Sequence, residues 1–166
     1  MRTLITAIAV TLATLMALPA QADPTPARFS WPLAPPHAVV RGYEPPDTPY
    51  GRGHRGVDLA AAVGTPVLAA DAGVVVYAGL VAGIPVVSID HDGGLRTTYE
   101  PVAASVTTGA QVYRGQQIGV LRAGHPGCSA AACLHWGALL NGAYVNPLSY
   151  VQVTRVRLKP WDPGDA

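Results

Sequence analysis

The sequence predicts an all-β fold, an antiparallel β-sandwich or partly open barrel with few or no helices. Three observations carry that expectation. From Gly51 onward, short β-branched runs alternate with Gly and Pro. Turn sequences such as Asp92-Gly93-Gly94 and Asn141-Gly142 stand between the runs and supply the positive φ that tight hairpins require. No window of about 12 residues beyond the first segment carries a sustained 3.6-residue apolar period, so helices should be scarce.

Residues 1–22 read as a secretory signal peptide. Arg2 gives a basic start, the run from Leu4 to Leu18 is apolar, and Ala20-Gln21-Ala22 is a small-x-small cleavage site. The apolar run is about 15 residues, short of the roughly 20 needed to span a bilayer. The mature chain is therefore expected to lack a transmembrane segment and to be secreted or extracytoplasmic, in a cell-wall or periplasm-like space. Residues 23–50 are proline-rich and have no sustained period, which predicts an extended arm wrapping the domain, pinned by Trp31, Val39 and Val40. The domain itself covers 51–151, with strands expected at 56–60, 66–68, 73–80, 85–90, 95–101, 117–122, 134–140 and 144–145. Residues 152–166 form a polar tail.

With 166 residues and 49% apolar content, the chain can build one core but not two. Loss of Arg2 with the leader leaves ten Lys plus Arg against ten Asp plus Glu, so bulk charge gives no draw to nucleic acid. The only cysteines are Cys128 and Cys133, in a chain expected to meet an oxidising compartment.

Two short segments carry chemistry. In Gly53-His54-Arg55-Gly56-Val57-Asp58 a His and an Asp lie four residues apart, and the surrounding glycines argue against a helix. In an extended chain, even spacing places both side chains on one face, where an imidazole and a carboxylate can converge on one cation. Cys133-Leu134-His135 repeats the arrangement at spacing two. Three N/O ligands with one position left for water make a catalytic zinc site. Alone, His-x-x-x-Asp is a weak signal, since a surface ion pair or a capping Asp would look the same.

From Gly51 to Tyr150 the segments HRGVDLAA, GTPVLAADAGVVVYAG, VSIDHDGGLRTTY, VTTGAQVYRGQQIG, CLHWG and VNPLSYV occur in that order. In them the chain resembles the LytM or lysostaphin-type peptidases, peptidase family M23. The resemblance implies an antiparallel β fold with a Zn2+ ion at the floor of a groove, held by His54, Asp58 and His135. It also implies hydrolysis of stem or cross-bridge peptides of peptidoglycan, with zinc polarising the carbonyl and activating water. A lipoyl or biotinyl carrier shares part of the pattern but needs a lysine at a hairpin tip, and the sole lysine, Lys159, sits in the tail.

The sequence departs from the family at two points. The family carries a histidine at the first position of His-x-His and another in a Tyr-x-His segment, where this chain has Cys133 and Pro101. A positioned acid or base contributes about 10² to 10⁴ in rate, so the substitution matters. Glu100 and His125 are the candidate replacements, although Glu100 should point away from the face of residue 101, and His125 lies in a glycine-rich loop. Cys133 has two readings: a thiolate closing the zinc site as a fourth ligand, or a disulfide with Cys128 that leaves the fourth position open. Arg52 and Arg55 are candidates for the substrate groove and Tyr99 for the groove or the core, His91 is expected to face solvent in a turn, and Trp136 to pack in the core, with a wall of the groove as its alternative. Two functions compete: an exported zinc metalloendopeptidase of cell-wall peptides, and a catalytically degenerate module that binds such peptides or regulates another hydrolase.

Overall fold

The computed structural model describes residues 28–35, 37–48 and 51–151. The expected leader and C-terminal tail, and part of the proline-rich arm, lie outside the described residues. Within them the strands are β1 (Ala38–Arg41), β2 (Gly56–Ala61), β3 (Pro66–Leu68), β4 (Gly73–Val81), β5 (Ile84–Asp90) and β6 (Leu95–Glu100). There follow β7 (Val102–Ala104), β8 (Gln111–Val112), β9 (Gln117–Leu121), β10 (Ala132–Leu140) and β11 (Ala143–Val145). Helical structure among the described residues is confined to short 3-10 turns at Asp92–Gly94 and Pro147–Tyr150. The all-β expectation holds, and no helix among these residues is long and apolar enough to cross a membrane.

Two antiparallel sheets result. The larger runs β1-β2-β10-β6-β5-β4-β8, with β11 pairing to β10 beyond the end of β2, and the smaller runs β3-β9-β7. Strand β10 is central, laddered to β2 on one side and β6 on the other. Alternation along β10 sends Leu134 and Trp136 into the core, where both are fully buried with Leu59, Ile89, Tyr99 and Ile118. The strands absent from the expected set are β1, β7 and β8. The last two have three and two residues, too few to show a period, and β1, though its Ala38-Val39-Val40 run is apolar, is exposed at all four positions and shows no alternation between core and solvent.

Of the residues expected to fasten the arm, Trp31 does pack against the core, but Val39 and Val40 do not, and Phe29 and Leu33 do more. Phe29 and Leu33 are each 1% exposed, whereas Val39 and Val40 are 41% and 40% exposed. Trp31 is itself partly buried. What holds the exposed β1 is backbone pairing to β2. His91 is also corrected: it is 7% exposed and tied into the interior, with Nδ1 2.8 Å from the Ala72 carbonyl and Nε2 2.7 Å from Thr97 Oγ1. Thr97 Oγ1 lies 2.8 Å from the Tyr99 hydroxyl, which accepts from the Ala70 N–H. The turn sequence gave no sign of this chain of partners, because the partners come from other strands. Burial pushes the His91 imidazole below its usual range, so it stays neutral at physiological pH.

A buried carboxylate joins the arm to the smaller sheet. Asp71 accepts from Arg28 at 2.9 Å and from Arg114 at 2.9 and 3.0 Å. Burial opposes its ionisation, but the two guanidinium groups and the Ala72 N–H outweigh that and hold it below the usual carboxylate range. Because the folded pKa is depressed, the contribution is present above the unfolded value of about 3.9 and is lost as pH falls below it. Asp71→Asn is expected to cost about 1–3 kcal/mol near neutral pH, less than a fully buried pair because both arginines are partly exposed. It should also flatten the acid limb of the stability curve, which urea titrations at neutral pH and below pH 4 would show.

Candidate metal centre

The site is assembled where the arm, β2 and β10 meet. His54 precedes β2 and is locked by a bridge to Glu44: the Glu44 N–H donates to the His54 carbonyl at 3.0 Å, and the His54 N–H donates to the Glu44 carbonyl at 2.8 Å. Its ring Nδ1 lies 2.6 Å from the Gly42 carbonyl. A carbonyl only accepts, so Nδ1 carries the proton and Nε2 presents a lone pair. Asp58 lies directly opposite His135 in the β2–β10 ladder, which puts both side chains on one face.

The three side chains converge tightly. Asp58 Oδ1 is 3.0 Å from His54 Nε2 and 2.9 Å from His135 Nδ1, and those two nitrogens are 3.0 Å apart. His125 joins them, with Nε2 3.1 Å from the same Asp58 oxygen. One ligand atom from each of the four residues lies within 4.8 Å of all the others. The site is secluded, with Asp58 1% and His54 5% exposed. Burial opposes ionisation of Asp58, but hydrogen bonds from His125 and His135 and the nearby imidazoles outweigh it, holding the carboxyl far below its usual range.

This donor set fits a metal ion. With the His54 proton on Nδ1, Nε2 faces a carboxylate oxygen acceptor against acceptor, an arrangement that a shared cation relieves. Zinc bonds of about 2.0–2.1 Å in tetrahedral geometry place neighbouring ligand atoms about 3.4 Å apart, close to the spacings here. Backbone space matters as well. A Cβ on Gly56 would lie 2.5 Å from the Trp136 carbonyl and 2.8 Å from His135 Nε2. Gly56→Ala is therefore expected to cost about 1–3 kcal/mol of stability and to displace the His135 ring. Zinc titration and thermal unfolding of the same sample would show both effects.

The remaining candidates divide. Cys133 is fully buried and bonded to Cys128, so its reading as a thiolate ligand is corrected: the sulfur is committed to a disulfide, and no described cysteine is free. Tyr99 is not a groove residue. It pairs with Trp136 in the β6–β10 ladder, is fully buried, and has its hydroxyl pushed up to about 12, chiefly by burial. Glu100 is opposite His135 in that ladder and so shares the face of the cluster, although it is not one of the four converging groups. Arg52 is exposed, while Arg55 donates to the Gly51 carbonyl and stands 5.9 Å over the Tyr144 ring. Arg55 also lines a cleft of about 590 Å³ with Tyr43, Pro46, Asp47 and Tyr144. Gly42 was not legible as a site residue, because it acts through a backbone carbonyl that any residue type would offer.

Known proteins place this geometry in context. Residues 52–147 match the model described as peptidase family M23. An uncharacterized protein of Mycobacterium tuberculosis, Rv2891, is 55% identical over 150 residues, covering 88% of this chain and 59% of its own length. The DD-carboxypeptidase/endopeptidase Mpg of Neisseria meningitidis is 38% identical over 97 residues, covering 58% of this chain and 22% of that protein. Among solved structures, Helicobacter pylori Csd3 superposes with a TM-score of 0.64 at 27% identity, over 81% of this chain and 37% of that one. The chain thus spans little more than half of the mycobacterial relative's length and smaller parts of the others. The family model covers more than half of the chain, on an antiparallel fold with clustered His and Asp side chains, and the chain belongs to peptidase family M23.

Proposed function

We propose that this protein is an exported zinc metallopeptidase acting on peptidoglycan stem or cross-bridge peptides. The observation that carries the reading is the convergence of His54 Nε2, His135 Nδ1 and Asp58 Oδ1 within 3.0 Å of one another, with His54 oriented by the Gly42 carbonyl. The name of the Neisseria relative, a carboxypeptidase and endopeptidase, supports the choice of a peptide bond as the target.

His54, Asp58 and His135 would hold the ion. Zinc bound there would supply Lewis-acid polarisation of a carbonyl and a lowered pKa for water. The chain's own contributions are distinct. Asp58 brings negative charge into a secluded site, Gly42 and Glu44 fix the His54 ring and backbone, and the opposing positions of β2 and β10 set Asp58 against His135. Glu100, opposite His135 in the β6–β10 ladder, is our candidate for the carboxylate that takes or gives a proton during peptide cleavage. Arg55 and the cleft beside it offer a guanidinium and aromatic surface to a carboxylate-bearing peptide.

A second reading, a module that binds wall peptides or a separate hydrolase without cleaving, is favoured by Pro101 and Cys133 standing where the family resemblance expects histidines. Digestion of purified peptidoglycan with zinc-loaded protein decides between them. New amino termini found by mass spectrometry with the wild type and missing with Asp58→Ala are the expected result. Equal products from both proteins overturn the peptidase reading.

A further inference from the structure

The geometry points to His125 as a fourth protein ligand of the metal, closing the site with three imidazoles and one carboxylate, and to the Cys128–Cys133 disulfide as the tether that holds it there. The inference rests on the metal-site reading above and describes its resting form: with four protein ligands there is no position for water or a carbonyl, so peptide cleavage would require His125 to leave the metal first.

Distance separates a ligand from a proton-transfer group. A base acting on a metal-bound molecule is set back from the other ligands by the width of that molecule. His125 is not set back: its Nε2 is 3.1 Å from Asp58 Oδ1, beside values of 3.0 Å for His54 and 2.9 Å for His135. All three nitrogens surround one carboxylate oxygen at nearly equal range, as ligands along the edges of one tetrahedron do, where about 3.4 Å is the ideal edge. The His125 ring also stacks on His135, with centroids 5.2 Å apart and planes at 26°. It is drawn into the site, with only 11% of its side chain exposed.

The loop explains how a glycine-rich segment delivers this side chain. Gly124 and Gly127 flank His125 and Pro126 with φ of 109° and 80°, left-handed values that a Cβ would strain, so the chain turns sharply on both sides of the histidine. The Arg122 N–H donates to the Pro101 carbonyl at 2.9 Å and anchors the start of the loop beside β6. At the far end Cys128 is bonded to Cys133, a buried residue of β10 on the same strand as His135. That bond ties the segment just after His125 to the strand bearing the third ligand. The tether matters because His125 Nδ1 is buried without a hydrogen-bond partner among the described residues. His54, by contrast, is oriented by the Gly42 carbonyl. The Cys128–Cys133 bond thus substitutes for the second hydrogen bond that usually orients a ligating imidazole.

Metal binding, read without any peptide substrate, tests the assignment. Zinc affinity is measured by chelator competition for the wild type, His125→Ala and Asp58→Ala, and each is then loaded with cobalt and titrated with azide while the visible spectrum is followed. A fourth ligand predicts that His125→Ala weakens zinc by more than about tenfold, since even groups that only orient ligands cost 10–100-fold. It also predicts that azide changes the cobalt spectrum of His125→Ala, which has an open position, and leaves that of the wild type unchanged. The paired Cys128→Ser and Cys133→Ser variant should move affinity and azide response toward those of His125→Ala. Wild-type affinity in His125→Ala, or an azide response equal in the two proteins, overturns the assignment of His125 while the loss of metal in Asp58→Ala keeps the site itself. Metal binding unaffected by Asp58→Ala overturns the site reading and this inference together. A disulfide-free variant indistinguishable from wild type removes the tether's part.

Discussion

Asp58→Asn is expected to weaken zinc binding by roughly 100-fold or more while leaving the fold in place. Zinc sites with four protein ligands are worth about 10–16 kcal/mol, so one ligand carries roughly 3 kcal/mol, which is about two orders of magnitude in affinity. Asparagine keeps the shape of the side chain and removes the only formal negative charge among the four converging groups. The carboxylate is also the hub of the cluster, since His54, His125 and His135 all approach its Oδ1. Competition with a chromophoric chelator measures the loss. Circular dichroism of the metal-free variant, with its β-sheet signal retained, separates lost ligation from lost folding.

Trp136→Ala should have the largest effect on stability, about 3–5 kcal/mol, as expected for truncating a fully buried large aromatic side chain. Trp136 is 0% exposed on the central strand, between Val57 of β2 and Tyr99 of β6, and its ring lies 5.9 Å from Phe29 and 6.3 Å from Trp31. A loss of that size takes a large share of the 5–15 kcal/mol that holds an ordinary domain together. It would loosen the arm as well as the sheet, since Phe29 and Trp31 are arm residues. The midpoint of urea unfolding reports the global cost. Faster amide exchange at His54, whose N–H bonds to Glu44 of the arm at 2.8 Å, would show the loss reaching the metal site.

The strand pattern was legible because most strands carry enough residues for alternation to show. Runs such as 73–80 and 85–90 were matched almost to their ends by β4 and β5. Strand β1 was not legible, since its four residues are all exposed and its place is fixed by the backbone of β2. His91 was misread for a related reason: a residue in a turn is exposed or buried according to what packs over it, which its own neighbours in sequence do not encode; for Tyr99, in β6, the groove and the core were both open and the packing chose the core. Glu100 shows the limit of local alternation. It does point away from the face of its neighbours in β6, but that direction is the face of His135, because the β6–β10 register sets the two opposite each other.

The sequence alone determined the antiparallel β architecture, the grouping of His54, Asp58 and His135, and the resemblance to peptidase family M23. The architecture follows from periodicity, a local property, while the joining of His135 to His54 and Asp58 is what the resemblance to the family implies. Tertiary structure alone decided that Cys128 and Cys133 are bonded, that the arm supplies the Gly42 carbonyl to His54, and that His125 comes within 3.1 Å of Asp58. Each of these depends on how a loop closes or a strand docks, whether over the 5 residues of the disulfide, the 12 between Gly42 and His54, or the long stretch between Asp58 and His125. Such closures are settled by the whole packed domain, in which the entropy lost by each segment is offset by burial elsewhere.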